Sequence, residues 1–355
     1  MLKVGVIGVG SISASHIEAY RRHPEVELIA LCDTNEQRLK EKGEKYDVQK
    51  LFTQYEELLA EESVDAVSIC TWNNTHAEIA IAALQANKHV LVEKPLSMTW
   101  EEAKEVEVAA DQSGKILQVG FVRRHASNAH VLNQFISEGE LGEIYYAKAT
   151  CLRRLGNPGG WFSDKSRSGG GPLIDLGVHM IDLCWYLMGK PKPISVTGNT
   201  YNKLGNRSHV KHLSFYKAAD YDATRNSVED LTNALIRFEN GASLFVDVSF
   251  TLHAKENEIN VKLYGDKGGA EIEPALVIMG EKNQTILNMT PQIDHPSFHF
   301  GEAFANEIAH FVACCQTNRE SIAPVSDGVE IMRMLEAIYQ SAREGKEIYL
   351  GEGLK

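Results

Sequence analysis

Residues 4–13 read Val-Gly-Val-Ile-Gly-Val-Gly-Ser-Ile-Ser, a short apolar run that ends in a glycine-rich turn. The run is typical of a buried strand, and a helical pattern follows it at about residues 11–22. Gly8 permits a tight turn, and Gly10 lets the backbone approach a pyrophosphate at the helix N-terminus. The residues that we expect to bind a dinucleotide here are Gly8, Gly10, Ser11 and Ile12.

The chain on either side of this turn alternates strand and helix as far as residue 122. Further strands are predicted at residues 26–32, 64–70, 89–92 and 116–121. Such alternation predicts a parallel, doubly wound sheet that helices cover on both faces. We therefore expect residues 1–122 to form an α/β nucleotide-binding domain of the Rossmann type.

From residue 123 the pattern changes to longer β-rich runs with few intervening helices. Runs of this kind lie at residues 143–154, 194–201, 229–239, 242–252 and 259–264. Asn240-Gly241 between two of them is a strong hairpin signal. An apolar helix is predicted at Pro172–Met188, and two more at about 301–316 and 327–343. A chain of 355 residues exceeds what one core usually serves, so we expect residues 123–355 to form an α+β domain with a mostly antiparallel sheet.

The bulk composition excludes several classes of partner. A net charge of −12 argues against nucleic acids and anionic membranes, and no apolar stretch approaches the ~18 residues of a membrane helix. Six cysteines without a Cys-x-x-Cys spacing favour a reducing compartment, so we expect a cytoplasmic protein. No metal site is expected, because the histidine pairs at 209/212 and 295/299 lack suitable partner ligands.

Polar residues at two predicted strand ends indicate which dinucleotide binds. Asp33 lies where a carboxylate accepts hydrogen bonds from the adenosine ribose, about twenty residues after the glycine turn. Its charge would repel a 2′-phosphate, so we expect NAD rather than NADP, with Arg38 on the helix surface. Alternatively, Asp33 only forms the turn after the strand and does not contact the cofactor. The other residues assigned to the cofactor site, which could instead form a capping cluster, are Thr71, Asn73 and His76.

Glu93-Lys94-Pro95 follows the predicted strand 89–92. Proline restricts the preceding residue to extended backbone, which fixes the direction of the Lys94 side chain. We expect Lys94 to point into the cofactor crevice, and Glu93 to hold either the main chain or the ribose. The alternative is an ordinary solvated lysine at a strand end.

Residues 169–179 read Gly-Gly-Gly-Pro-Leu-Ile-Asp-Leu-Gly-Val-His. The spacing of four places Asp175 and His179 on one helical face. Histidine, with an ordinary pKa near ~6.5, can take the proton of a substrate hydroxyl, and the Lys94 ammonium can stabilise the alkoxide that develops. Asp175 could hold a neighbouring hydroxyl or the imidazole. Taken alone, His179 could equally be a buried core histidine.

Three residues outside these motifs are candidates for substrate contact, together with Asp175 and His179. Trp161, in a glycine-rich loop, offers a flat apolar surface for a sugar ring. Arg153 offers a hydrogen-bonding fork beside the same loop, and Arg123 follows the last predicted strand of the first domain. The basic and aromatic segment 202–228 is interpreted as a solvated or subunit-facing loop.

The separate motifs occur in a familiar order, and together they resemble one family. They are Gly8-x-Gly10, Asp33, Glu93-Lys94-Pro95, and Gly-Gly-Gly-x-x-x-Asp-x-Gly-x-His-x-x-Asp at residues 169–182. Over essentially its whole length the chain resembles the glucose–fructose oxidoreductase, inositol dehydrogenase and MocA family. That resemblance implies a Rossmann domain and a C-terminal domain with an open, mostly antiparallel sheet, whose exposed face forms homodimers or homotetramers.

The resemblance also implies NAD(P)-dependent oxidation or reduction of sugars, cyclitols and related polyols. By position, Lys94 matches the active-site lysine of the family, Asp175 its substrate-orienting aspartate and His179 its acid–base histidine. Two residues depart from the family pattern: Trp72 stands where proline is frequent, and Ser13 where glycine or alanine is usual. Neither departure touches the proposed chemistry.

The sequence therefore predicts an NAD-dependent dehydrogenase of a cyclitol or sugar, similar to an inositol dehydrogenase. Two alternatives remain open. One is an NAD-assisted glycoside hydrolase, which would oxidise the sugar transiently and then return the hydride. The other is a non-catalytic NAD-binding sensor. Net production of NADH separates the dehydrogenase from both.

Overall fold

The structure, a computed structural model, describes residues 1–222 and 224–351. The strands in chain order are β1 (Leu2–Ile7), β2 (Val26–Cys32), β3 (Lys50–Phe52), β4 (Ala66–Ile69), β5 (His89–Glu93), β6 (Leu117–Gly120), β7 (Ile144–Leu152), β8 (Pro193–Tyr201), β9 (Leu231–Phe238), β10 (Ser243–Ser249), β11 (Glu258–Gly265), β12 (Gly268–Glu273), β13 (Val277–Lys282), β14 (Thr285–Met289) and β15 (Ile348–Tyr349). The α-helices are α1 (Ser13–Arg22), α2 (Glu36–Tyr46), α3 (Tyr55–Leu59), α4 (His76–Gln85), α5 (Trp100–Ser113), α6 (Ser127–Ser137), α7 (Lys165–Ser168), α8 (Val178–Leu187), α9 (Phe300–Thr317) and α10 (Val325–Glu344).

The chain folds into two compact units. The first consists of Met1–His125 and Phe300–Met332, and the second of Ala126–His299 with the chain from Arg333 onwards. The sequence predicts a boundary between residues 122 and 123, with each domain continuous along the chain. The compact units differ from this prediction because α9 groups with the first unit.

A parallel six-stranded sheet forms the centre of the first unit, in the order β3-β2-β1-β4-β5-β6. Every residue of β4 is buried, as is all of β1 except Lys3, because helices cover both faces of such a sheet. The predicted doubly wound sheet is confirmed. Its strand order reverses between β1 and β4, and ligands of these folds bind beyond the carboxyl ends of the strands at such a point.

Helix α9 belongs to the first unit although it lies near the C-terminus. Its side chains Ile308, Phe311 and Val312 are fully buried in the same core cluster as Val4 and Val6 of β1. The helix also packs directly against α1. Burial of these apolar side chains stabilises the nucleotide-binding fold, and this is why α9 groups with it.

An open nine-stranded sheet forms the second unit, in the order β14-β13-β12-β11-β7-β10-β9-β8-β15. All its neighbouring strands are antiparallel except β10 and β7, so the predicted mostly antiparallel sheet is confirmed. Positions along β9 and β10 alternate between buried and less buried, and α8 packs against β7, β10 and β11. One face of these strands is therefore buried.

Among residues 1–222 and 224–351, no helix combines the length and the apolar character needed to span a membrane. All six cysteines are free thiols.

Candidate active site

The glycine turn after β1 is closed on one side and open on the other. Gly8 has a φ of +86°, and a Cβ there would lie 2.8 Å from backbone atoms of Cys70 and Thr71, so only glycine fits. A Cβ on Gly10 would approach only Arg38, with Nη1 4.0 Å away. The turn thus leaves space at Gly10 for the close backbone approach that a pyrophosphate requires.

Asp33, directly after β2, holds the glycine turn. Its Oδ2 accepts a hydrogen bond from the Val9 N–H at 2.9 Å, and its Oδ1 accepts one from the Asn35 N–H at 2.8 Å. Arg38 Nη1 lies 3.6 Å from Oδ2. The Arg38 side chain is 43% exposed, so it lies on the helix surface as expected, and its guanidinium also borders Asp33 and Gly10.

His76, the first residue of α4, joins two loops at the carboxyl edge of the sheet. Its Nδ1 lies 2.7 Å from the Pro95 carbonyl oxygen and its Nε2 lies 3.3 Å from that of Thr71, with the residue 1% exposed. Burial lowers the pKa of His76; the neutral ring has one N–H, and the shorter distance assigns it to Nδ1. His76 therefore tethers the loop after β4 to the Lys94-Pro95 turn, and nearby Asn73 is also buried.

Glu93 anchors the backbone of the proposed catalytic lysine. Its Oε2 accepts a hydrogen bond from the Lys94 N–H at 3.2 Å, and its Oε1 lies 2.8 Å from His16 Nε2. Burial raises the pKa of Glu93, but the His16 hydrogen bond and the nearby cationic groups outweigh it and lower the pKa overall. A line of hydrogen bonds continues from His16 Nδ1 to the Ser68 hydroxyl and on to Tyr20. Of the two expected roles for Glu93, the structure shows that of holding the main chain.

The segment that carries Asp175 and His179 begins with one wide turn. Leu173–Gly177 forms a π-helical turn that leads directly into α8, where an uninterrupted helix is expected from the sequence. Within residues 173–180, Asp175 and His179 are half-buried and the others are buried. The expectation that they share a face is met. Such π turns occur frequently at functional sites.

Two residues that the sequence did not indicate lie against the triglycine segment 169–171. A Cβ on Gly170 would lie 2.0 Å from Tyr339 Oη, and one on Gly171 would lie 2.5 Å from the Glu229 carbonyl oxygen. Both glycines are therefore required by close packing. The three consecutive glycines were the only sequence signal of this packing, and they do not identify the neighbours.

The other substrate candidates lie on loops. Arg153 Nη1 donates to the Gly156 carbonyl at 3.2 Å, so this side chain folds back on its own loop. Trp161 packs on Phe162 with ring centroids 4.0 Å apart. Arg123 is half-buried in a short 3₁₀ turn after β6. Their contact with a substrate remains a prediction.

Segment 202–228, described except for residue 223, packs on the glycine-rich loop 155–171. A Cβ on Gly159 would lie 2.3 Å from the Tyr221 ring. The buried Asn206 amide donates to the carbonyls of Asp222 and Arg225, at 3.2 and 2.9 Å. The segment is thus held by its own hydrogen bonds, while most of its described residues are exposed, as expected of a solvated or subunit-facing loop.

Known proteins resemble the chain, two of them along nearly its whole length. D-glucoside 3-dehydrogenase of Escherichia coli K12 is 34% identical over 98% of this chain and 97% of its own. Myo-inositol 2-dehydrogenase of Thermotoga maritima is 33% identical over 53% of this chain and 55% of its own. The solved structure of a levoglucosan dehydrogenase in complex with NADH has a TM-score of 0.86 at 23% identity, and the match covers 99% of this chain and 100% of that one.

Two family models together match nearly all of the chain. Residues 2–121 match the oxidoreductase family NAD-binding Rossmann fold, and residues 133–350 match the C-terminal alpha/beta domain of the same family. The chain belongs to the glucose–fructose oxidoreductase, inositol dehydrogenase and MocA family of oxidoreductases, and its cofactor is NAD.

Proposed function

We propose that the chain transfers a hydride between NAD and a secondary hydroxyl group, or the matching ketone, of a sugar or cyclitol. The observation that carries this proposal is the position of Asp175 and His179, the two half-buried residues in the otherwise buried stretch 173–180. The relative that is 34% identical over nearly the full chain is named a D-glucoside 3-dehydrogenase. D-glucosides are therefore the first substrates to test.

The chain's own residues have distinct roles in this mechanism. NAD, when bound, supplies the ring that accepts the hydride. Gly8 and Gly10 give the pyrophosphate access to the N-terminus of α1, and Asp33 accepts hydrogen bonds from the ribose. His179 takes the proton of the reacting hydroxyl as general base.

Lys94 and Asp175 complete the proposed set. The Lys94 ammonium donates a hydrogen bond to the reacting oxygen and stabilises the negative charge that develops there. Asp175 accepts a hydrogen bond from an adjacent hydroxyl and so orients the ring. Lys94 belongs to the first compact unit, and Asp175 and His179 to the second.

A substrate panel tests the proposed function. Purified protein with NAD is offered D-glucosides, free hexoses and inositols, and absorbance of the reduced nicotinamide is followed while products are identified. We expect one mole of NADH for each mole of oxidised sugar. Cleavage of a glycoside without net NADH would instead establish the hydrolase. Tight NAD binding without turnover of any compound would establish the sensor.

We also propose a homodimer or homotetramer, formed through the less buried face of the nine-stranded sheet. Tyr146 of β7 and Tyr264 of β11 pair across that face with their rings stacked 5.5 Å apart, and both are only half-buried. Aromatic side chains open to solvent on one face of a sheet favour association. Light scattering measures the mass directly, and a monomer would contradict this proposal. A cytoplasmic location stays a prediction from the cysteine pattern.

A further inference from the structure

A buried carboxylate caps the start of the segment that carries Asp175. Glu229 is 9% exposed; its Oε2 accepts a hydrogen bond from the Gly171 N–H at 3.0 Å, and its Oε1 accepts one from the Leu173 N–H at 3.3 Å. The residue between them is Pro172, which has no N–H. One carboxylate therefore satisfies both N–H groups on either side of the proline, and its negative charge favours a helix N-terminus.

Tyr339 of α10 holds the same carboxylate from another direction. Its hydroxyl donates to Glu229 Oε1 at 2.8 Å. Burial and the neighbouring carboxylate raise the pKa of Tyr339 well above its usual value, so the hydroxyl keeps its proton and remains a donor. Glu229 thus receives three hydrogen bonds: one from Gly171, one from Leu173 at the start of the π-helical turn, and one from Tyr339 of α10.

The capped backbone leads directly to Asp175. The Gly171 carbonyl accepts a hydrogen bond from the Asp175 N–H at 3.0 Å. The peptide units of Gly171 are therefore fixed on one side by Glu229 and on the other by Asp175. Close packing also leaves no space for a side chain on Gly170 or Gly171, so only glycine fits at these two positions.

We propose that Glu229, supported by Tyr339, is a positioning residue for the reaction: it fixes the first turn of this helix and thereby the placement of Asp175 and His179. The inference rests on the proposed function and adds a residue to it. Glu229 itself contacts neither substrate nor cofactor in this proposal. A displacement of about 1 Å in reacting groups can lower turnover by about a hundredfold, so a cap of this kind affects rate as well as stability.

The neighbouring residue offers a matched control. Asp230 is 2% exposed, and its carboxylate likewise accepts hydrogen bonds from three backbone N–H groups, those of Lys203, Leu204 and Gly205. It therefore anchors segment 202–228 instead of the helix start. Asp230→Asn and Glu229→Gln remove similar buried caps, but only Glu229→Gln loosens Asp175 and His179.

Steady-state kinetics on a substrate from the panel is the first measurement. Glu229→Gln keeps the shape but replaces one acceptor oxygen by an NH₂ group, which cannot accept from Gly171 or Leu173. We expect kcat to fall by about ten- to a hundredfold while the KM for NAD is unchanged, since the NAD-binding residues lie in the first unit. Asp230→Asn should lower the melting temperature but keep kcat. Tyr339→Phe, which leaves both backbone donors, should lose less turnover than Glu229→Gln.

Hydrogen exchange of the full-length protein gives a readout that does not depend on turnover. Amides of residues 173–179 should exchange faster in Glu229→Gln than in wild type or Asp230→Asn, because local opening there becomes easier. If wild type oxidises no compound of the panel, the proposed function fails, and exchange still decides whether Glu229 fixes this turn.

Three results would overturn the inference. One is unchanged exchange at residues 173–179 in Glu229→Gln. Another is faster exchange there with wild-type kcat. The third is an equal loss of kcat in Glu229→Gln and Asp230→Asn, which would make Glu229 an ordinary structural residue. Should Glu229→Gln not fold, Tyr339→Phe carries the same test, since it removes one donor from the same carboxylate.

Discussion

His16 Nε2 lies 2.8 Å from Glu93 Oε1, and neither side chain is more than 9% exposed. This pair joins α1, the helix that opens at the glycine turn, to the end of β5, from which Lys94 projects. A carboxylate can only accept, so His16 donates from Nε2. The elements that bind the dinucleotide and position the lysine are thus held together below the surface.

Loss of His16 should therefore destabilise the protein strongly. His16→Leu leaves the Glu93 charge buried with the Lys94 N–H as a remaining donor, and removing one partner of a buried pair costs about 3–5 kcal/mol. Urea unfolding measures the change. The double variant His16→Leu/Glu93→Gln removes the charge and should be more stable than His16→Leu alone; simple additivity of the two effects would show that the pair is not coupled.

Cofactor preference should depend on Asp33 and Arg38 in opposite directions. The Asp33 carboxylate repels a 2′-phosphate, so kcat/KM should be higher with NAD than with NADP. Asp33→Asn should reduce this difference in kcat/KM between the two cofactors. Arg38, 3.6 Å from that carboxylate, is the nearby cation that would attract the phosphate. Arg38→Ala should therefore widen the preference for NAD.

The measurement is kcat/KM with each dinucleotide for wild type and both variants. Since Asp33 also binds the Val9 N–H, Asp33→Asn should in addition raise the KM for NAD. A wild-type preference for NADP, or a shift in the same direction for both variants, would contradict the role assigned to Asp33.

His179→Ala and Lys94→Ala should each lower kcat by about a hundredfold or more, because each removes a group that acts on the reacting oxygen. Both proteins should stay folded. His253→Ala and Lys40→Ala, which change exposed residues of the same two units, are the controls and should keep wild-type turnover. Near-normal kcat in both His179→Ala and Lys94→Ala would remove the proposed mechanism.

The sequence predicts best those features that depend on neighbours along the chain. The strand pattern alone predicted that Gly8, Asp33 and Lys94 follow strand ends of one parallel sheet, because carboxyl ends of parallel strands meet at one edge. Spacing predicted that Asp175 and His179 share a face. These are local regularities, and a single sequence carries them.

Features that depend on distant partners were not predictable in this way. Glu229 reaches Gly171 across 58 positions, and no periodicity links the two. Helix α9 has an ordinary amphipathic pattern, which does not indicate in which of the two cores its apolar side chains are buried. Strands β12–β14 were not predicted at all; β14 is exposed throughout, so it lacks the buried alternation that identifies a strand.

Acid should weaken the first unit through His125. Burial, with His310 and Arg124 nearby, lowers the pKa of His125 from 6.5 to about 3. Below pH 6.5 the unfolded chain binds a proton at this residue that the folded protein does not, so stability falls as the pH drops from 6.5 towards 3. For this shift, linkage predicts a loss of about 2 kcal/mol between pH 7 and pH 5.

Urea unfolding at both pH values tests this contribution. His125→Phe removes the titrating group, so the stability lost between pH 7 and pH 5 should be about 2 kcal/mol smaller than in wild type. His130→Gln, a change at an exposed histidine, serves as the control and should keep the wild-type pH dependence. The same loss in His125→Phe as in wild type would mean that the ring is protonated in the folded protein. Burial of His125 would then not prevent the ring from carrying a positive charge, and the lowered pKa would be contradicted.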